Sequence, residues 1–272
     1  LIDIPPSMPT QIMGDPSRIR QIIVNLAKNA VKFTARGTVI ISLRKSQYHH
    51  RESIRLSIAD TGIGVSDDQR KGLFTSFFQA DSSTTRRFGG TGLGLSISKQ
   101  LVELFGGTIE LSDNRPQGSI FSFTIPVDFI GKAPSPLIKG DRLDEHILIV
   151  DDHVQGSSIL ENILKSFGYA HIYTAHSGAQ ALEILQLNAQ KNMPIDNCLV
   201  DMLMPEMDGW RLAAEIHSLN IAQRPNLILM VPQGMLGADA KMTLLKWFNA
   251  YINKPIKRKE LARALNKLPT YK

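Results

Sequence analysis

Apolar residues recur along this chain in two different rhythms, and the change from one to the other falls near its middle. In the first half, "SIRLSIA" (53–59) and "GSIFSFTIPV" (118–127) alternate apolar with polar positions, as half-buried antiparallel strands do. "SRIRQIIVNLAKNAVKF" and "LSISKQLVELF" instead carry apolar residues at helical spacing. These segments predict an α+β sandwich, a mixed sheet laid against helices. In the second half, "HILIV", "HIYTA", "NCLV", "NLILMV" and "AYIN" are short apolar strands, each followed by a helical stretch, the last from about Lys257 to Lys267. Strict alternation of this kind predicts a doubly wound, five-stranded parallel sheet with its ligand site at the carboxyl ends of the strands.

Between the two halves, "GKAPSPLIKGDRLDE" (131–145) has two prolines, two glycines and no sustained apolar period. The expected organisation is a domain at 1–130, a linker at 131–144 and a second domain at 145–272, α/β overall. A length of 272 residues suits two domains of ordinary size. No apolar run approaches the roughly 18 residues that span a bilayer. The single cysteine, Cys198, lies in an apolar strand and has no partner for a disulfide, which fits a reducing compartment. A net charge of +6 is spread along the chain, so no nucleic-acid partner is expected. The chain opens at Leu1, and the expectation is a segment of a longer cytoplasmic polypeptide, any membrane tether lying in residues outside it.

Several stretches carry candidate chemistry. "FGGTGLGLS" (88–96) comes within one residue of a P-loop, but Leu95 stands in place of the lysine and the preceding "QADSSTTRRF" has no strand pattern. In the helix after Asp15-Pro16, Asn25, Asn29 and Lys32 fall at i, i+4 and i+7 on one polar stripe. Amide oxygens can ligate magnesium and lysine can neutralise phosphate, so the stripe suits a polyphosphate; a solvated face is the alternative reading. "ADTGIGV" (59–65) sets Asp60 at a strand end before a turn through Gly62 and Gly64, where backbone can be approached closely. Ser66 and Gln69 form a capping box ahead of Phe74, Phe77 and Phe78, which read equally as core packing or as the anchor of a mobile lid.

In this order and spacing, "NLAKNAVKFT", "DTGIG", "FTSFFQ" and "RRFGGTGLGLS" resemble the N, G1, F and G2 boxes of the sensor histidine kinase catalytic domain, a Bergerat-fold ATPase. The resemblance implies ATP and Mg²⁺ as cofactors. Asn29 would ligate magnesium, Asn25 and Lys32 would meet the phosphates, and Phe33 would border the base or ribose. Asp60 would accept from the adenine amino group, with Gly62 and Gly64 leaving room for the base. Arg86 would meet the γ-phosphate, and Gly90, Thr91, Gly92 and Gly94 would belong to the loop that closes over the triphosphate.

The second half gathers acids. Asp151 and Asp152 end the first strand, Asp201 ends the third, and Lys254 follows the fifth, so three carboxylates and an ammonium should share one sheet edge. Clustered carboxylates repel one another and call for a hard cation such as Mg²⁺. This half resembles the response-regulator receiver over its whole length. The resemblance implies that Asp201 accepts a phosphoryl group, that Asp151, Asp152, Asp201 and the backbone carbonyl of Leu203 hold Mg²⁺, and that Lys254 contacts the phosphoryl oxygens. Receivers end the fourth strand with Ser or Thr, where this chain has Val231, although Tyr251 fits the aromatic switch position. The loss of that hydroxyl leaves open an alternative, an ATP-binding module whose receiver is a non-switching interaction domain.

None of the seven histidines is followed by Glu or Asp, as the kinase family's phosphoacceptor would be. The expected partners are therefore a histidine-bearing dimerisation domain, upstream in the same polypeptide or supplied in trans, and a downstream phosphotransfer protein or response regulator. Dimerisation would run through that missing region. An ATP-driven conformational machine of the gyrase or chaperone kind is the rival within the same superfamily.

Overall fold

A computed structural model describes residues 1–78, 92–130, 137–138, 140–235 and 247–270. The chain divides into two compact units, Leu1–Pro134 and Ser135–Lys272. Among the described residues no helix is long and apolar enough to cross a membrane.

The first unit runs β1 (Ile2–Asp3), β2 (Gln11–Met13), α1 (Pro16–Phe33), β3 (Val39–Tyr48), β4 (Arg51–Asp60), α2 (Asp67–Arg70), α3 (Gly94–Leu104), β5 (Thr108–Asp113), β6 (Ser119–Pro126) and β7 (Asp128–Ile130). Its five-stranded sheet has the order β1-β3-β4-β6-β5; β1 is parallel to β3 and the other pairs are antiparallel. Alternation decides which face is covered: Ile54, Leu56 and Ile58 of β4 and Phe121, Phe123 and Ile125 of β6 meet Ile22, Leu26 and Ala30 of α1 and Leu101 and Val102 of α3. The start of α1 is fixed locally, since the Asp15 carboxylate accepts from the amides of Ser17 at 2.9 Å and Arg18 at 3.1 Å, with Pro16 in the first turn. The Ser66–Gln69 capping box forms, each side chain bonding the other residue's backbone amide.

The second unit runs β8 (His146–Val150), α4 (Val154–Phe167), β9 (His171–Ala175), α5 (Gly178–Gln190), β10 (Asn197–Asp201), α6 (Gly209–Ser218), β11 (Asn226–Pro232), β12 (Ala250–Lys254) and α7 (Arg258–Lys267). All five strands are parallel, in the order β12-β11-β10-β8-β9. One core lies on each side of the sheet: Leu148, Val150, Val200, Leu229 and Val231 face one, Ile147, Ile149, Leu199, Ile228 and Met230 the other. Burial on both faces is why these strands read as continuous apolar runs. The helix expected between β11 and β12 falls largely outside the described residues.

The stretch read as a linker is partly built into this second unit. Ile138 is buried with Leu137 and Leu143 against the α4/α7 side, Arg142 Nη1 donates to the Leu268 carbonyl at 2.8 Å, and Asn266 donates to the Leu137 carbonyl at 2.7 Å. An adjacent apolar pair and a leucine beyond a charged stretch show no period in sequence, and only the packing reveals their use.

Candidate functional site

Each unit carries its own site. In the first, the residues that bury α1 leave Asn25, Asn29 and Lys32 on its half-buried flank. The Asn25 amide donates to the Gly94 carbonyl at 3.3 Å and to Ser98 Oγ at 3.4 Å, so it joins α1 to the first turn of α3. The half-buried Asn29 side chain makes no hydrogen bond among the described residues, and Lys32 Nζ lies 5.0 Å from the centroid of the exposed Phe33 ring. An amide and an ammonium three residues apart on one helix fit a metal-bound polyphosphate.

Asp60 ends β4 with 2 % of its surface exposed. Its Oδ1 accepts from the Gly62 amide at 2.8 Å, and its Oδ2 from the Ser119 hydroxyl at 2.5 Å. Each oxygen keeps a second lone pair, so the carboxylate is held in place and can still accept from a ligand. A β-carbon on Gly62 would sit 2.2 Å from the Phe33 carbonyl oxygen, so only glycine lets the turn pass that close to α1. Gly64 has φ +75 and lies against Gly118. Gly92 has φ +68, and a β-carbon there would lie 2.9 Å from the Phe78 carbonyl oxygen. Gly94 opens α3. Arg86, Gly90 and Thr91 lie outside the described residues.

The three phenylalanines divide between their two readings. Phe74 packs on the core, its ring edge-on to Phe121 at 6.5 Å, and Phe78 lies against Gly72, whereas Phe77 is 73 % exposed with φ 65. Ser119 escaped the sequence reading; a serine at an alternating strand position looks like any other, and its partner is 59 residues away.

In the second unit the strand order reverses between β8 and β10, where a doubly wound sheet opens its crevice. Asp151 follows β8, Asp201 ends β10 and Lys254 ends β12. Lys254 Nζ lies 2.9 Å from Asp151 Oδ2 and 2.7 Å from Asp201 Oδ2. Oxygens of Asp151, Asp152 and Asp201 lie within 4.8 Å of one another; Asp151 and Asp201 are buried and Asp152 is exposed. Burial raises the Asp201 pKa, against Lys254 and with help from Asp151. Burial pulls the Lys254 pKa down, but Asp201 and Asp151 outweigh it and the net direction is up. The two shifts have one cause: a pair of buried carboxylates shares a single ammonium, leaving the cation over-supplied with partners and the acids under-supplied. Three hard oxygen donors with residual negative charge fit a divalent cation.

The Leu203 amide approaches Asp201 Oδ1 at 3.5 Å, and Leu203, two residues past the strand end, is exposed. Val231 is fully buried in apolar core; Tyr251, level with Leu229 in the β11–β12 register, is 38 % exposed. His153 is the N-cap of α4, its Nδ1 accepting from the Gly156 amide at 3.3 Å. His49 and His50 form the β3–β4 turn with φ 48 and 61. Cys198 is buried, and burial pushes its thiol pKa up.

Comparison with known proteins matches both units. Residues 14–128 match the family described as histidine kinase-, DNA gyrase B- and HSP90-like ATPase, and residues 147–266 match the response regulator receiver domain. Two-component system protein A of Emericella nidulans is 32 % identical over 283 residues, covering 97 % of this chain and 41 % of its own length. The autoinducer 2 sensor kinase/phosphatase LuxQ of Vibrio vulnificus is 34 % identical over 265 residues, covering 92 % of this chain and 29 % of its own. The structure of full-length ShkA in complex with AMPPNP superposes with a TM-score of 0.69 at 26 % identity, covering 99 % of this chain and 53 % of that one. The chain thus spans less than half the length of these curated relatives.

Proposed function

The chain belongs to the hybrid histidine kinases, in which a histidine kinase-type ATPase domain precedes a response-regulator receiver, and from this premise we propose that its first unit binds Mg·ATP and that Asp201 of its second unit accepts a phosphoryl group. The histidine between the two steps belongs to a helical dimerisation domain, in the same polypeptide or in trans. A phosphotransfer protein or response regulator then takes the group onward. The catalytic unit is assigned to 1–130 and the receiver to 145–272, with 131–144 between them, of which the part through Ile138 and Arg142 packs onto the receiver.

In the first unit Asp60 accepts from the adenine amino group while Gly62 and Gly64 leave space for the ring. Asn25 and Lys32 face the phosphates, Asn29 supplies an oxygen to the metal, and Phe33 borders the ribose. Arg86 and the loop through Gly90, Thr91, Gly92 and Gly94 cover the triphosphate. In the second unit an Asp201 carboxylate oxygen attacks phosphorus as the bond to the donor histidine breaks, and the departing imidazole keeps the electron pair. Magnesium, when bound by Asp151, Asp152, Asp201 and the Leu203 carbonyl, supplies neutralisation of the phosphoryl oxygens. Lys254, in contact with Asp151 and Asp201, adds a positive charge of its own for the phosphoryl oxygens. Positioning and charge neutralisation dominate such transfers.

The observation that carries the reading is Lys254 Nζ, 2.7 Å from Asp201 and 2.9 Å from Asp151 at the open edge of a parallel sheet, in a chain whose other unit is an ATPase domain. Labelled Mg·ATP supplied with this chain and a separate histidine-bearing dimerisation domain tests it. Label should reach the histidine and then the receiver; Asn29→Ala should suppress the first step, and Asp201→Ala only the second. Loss of neither step would refute the assignments.

A further inference from the structure

The registered pairing of β4 with β6 stops at Ala59, one residue short of Asp60. The Asp60 carbonyl is instead taken up by the turn between β5 and β6: Asn114 Nδ2 donates to it at 2.7 Å. The Asn114 amide closes the same turn by donating to the Gly118 carbonyl at 3.2 Å. Gly118, at φ +118, presses so closely that a β-carbon would sit 1.9 Å from the Asp60 carbonyl oxygen. The next residue, Ser119, holds the Asp60 carboxylate itself. One short turn therefore grips both the peptide and the side chain of Asp60, and Asp113 at its start is ion-paired with Arg70 of α2.

From this we infer that Asn114 is a positioning residue for adenine recognition, setting the Asp60 peptide so that the carboxylate meets the purine amino group without reorganising. The inference rests on the reading of Asp60 as the adenine acceptor. The direction of a side chain follows the orientation of its own peptide, and preorganisation of that kind contributes to affinity by removing an ordering penalty. Without the Asn114 side chain the Asp60 carbonyl loses its partner, and the peptide it shares with Thr61 is held only from the other side, by the bond from the Thr61 amide to the Thr38 carbonyl at 3.1 Å.

The test compares binding of ATP with binding of purine riboside triphosphate, which lacks the 6-amino group, to the full chain. The wild type should prefer ATP by about tenfold or more. Asn114→Ala should weaken ATP by about fivefold and leave the desamino nucleotide unchanged, so the preference narrows. Asn114→Asp, nearly the same shape but with an acceptor facing an acceptor, should narrow it at least as far, and it carries the test should the alanine variant fail to fold. Arg55→Ala, which removes the bonds from Arg55 to Glu110 and Ser122 elsewhere in the same sheet, should leave the preference intact. Equal weakening of both nucleotides by the Asn114 variants, or no weakening, would overturn the inference. A wild type without preference would overturn it together with the reading of Asp60.

Discussion

The two candidate sites, both proposed to hold phosphoryl oxygens, are built of opposite materials. Around Asp60 and α1 the described side chains are mostly neutral amides and glycines, and the one buried carboxylate is satisfied by an amide and a hydroxyl. At the edge of the parallel sheet the site is charge against charge, two buried acids on one ammonium. A site made of backbone and amides depends on shape, and a single methyl group can fill it. A charged site tolerates changes of shape better than changes of charge, and it responds to pH. The difference suits the proposed cargo: a nucleotide brings a flat base that needs clearance, whereas a lone phosphoryl group offers little beyond its charge.

The comparison breaks first at its extremes. Asp201→Ala should reduce labelling of the receiver by acetyl phosphate and Mg²⁺ at least about 1,000-fold, since it removes the proposed nucleophile and leaves Asp151 and Asp152 in their proposed role at the metal, while ATP affinity measured by calorimetry stays the same. Gly62→Val should do the converse: a side chain 2.2 Å from backbone cannot be relieved by rotation, so ATP binding should fall by about 100-fold while receiver labelling persists. Joint loss in either variant would mean that the sites are not independent.

Lys254→Ala sharpens the charge argument. It leaves two buried carboxylates without a cation and should destabilise the second unit by about 3 kcal/mol in thermal melts without metal, with Mg²⁺ restoring part of the loss. A fall in pH should act on Asp201 in the metal-free protein. Its pKa is raised by burial, so without Mg²⁺ the carboxylate, followed by NMR, should take up its proton at a higher pH than an ordinary aspartate does. The sign for stability follows: ionised Asp201 is a strain on the metal-free fold, relieved as pH falls through its raised value. Lys254 contributes stability that is complete below the ordinary lysine pKa and lost only as pH rises through its own raised value.

The smallest effect is expected at the switch. Val231→Thr restores a hydroxyl in buried apolar core, which should cost about 1 kcal/mol and leave acetyl phosphate labelling unchanged. It should add a phosphorylation-dependent change at Tyr251, read by fluorescence or NMR, that the wild type lacks. The same change in the wild type would show that the receiver switches without that hydroxyl.

Both folds, and the charged residues at the strand ends, were legible in the chain. An apolar run that stops at a charge marks a strand end, so Asp60, Asp151, Asp201 and Lys254 could each be found from neighbours a few residues away. The amide stripe of α1 was legible for the same reason, because helical period is local. What holds these groups became visible only once the chain was folded. Asn25 reaches Ser98 across 73 residues, Asp60 is gripped by Asn114 and Ser119 across 54 and 59, and the supposed linker packs through Ile138 and Arg142 onto the last helix. Hydrogen bonds between polar residues leave no period in the chain, since either partner taken alone resembles a solvated side chain. Which pairs meet is set by how the strands register and the helices pack, and that is a property of the fold as a whole.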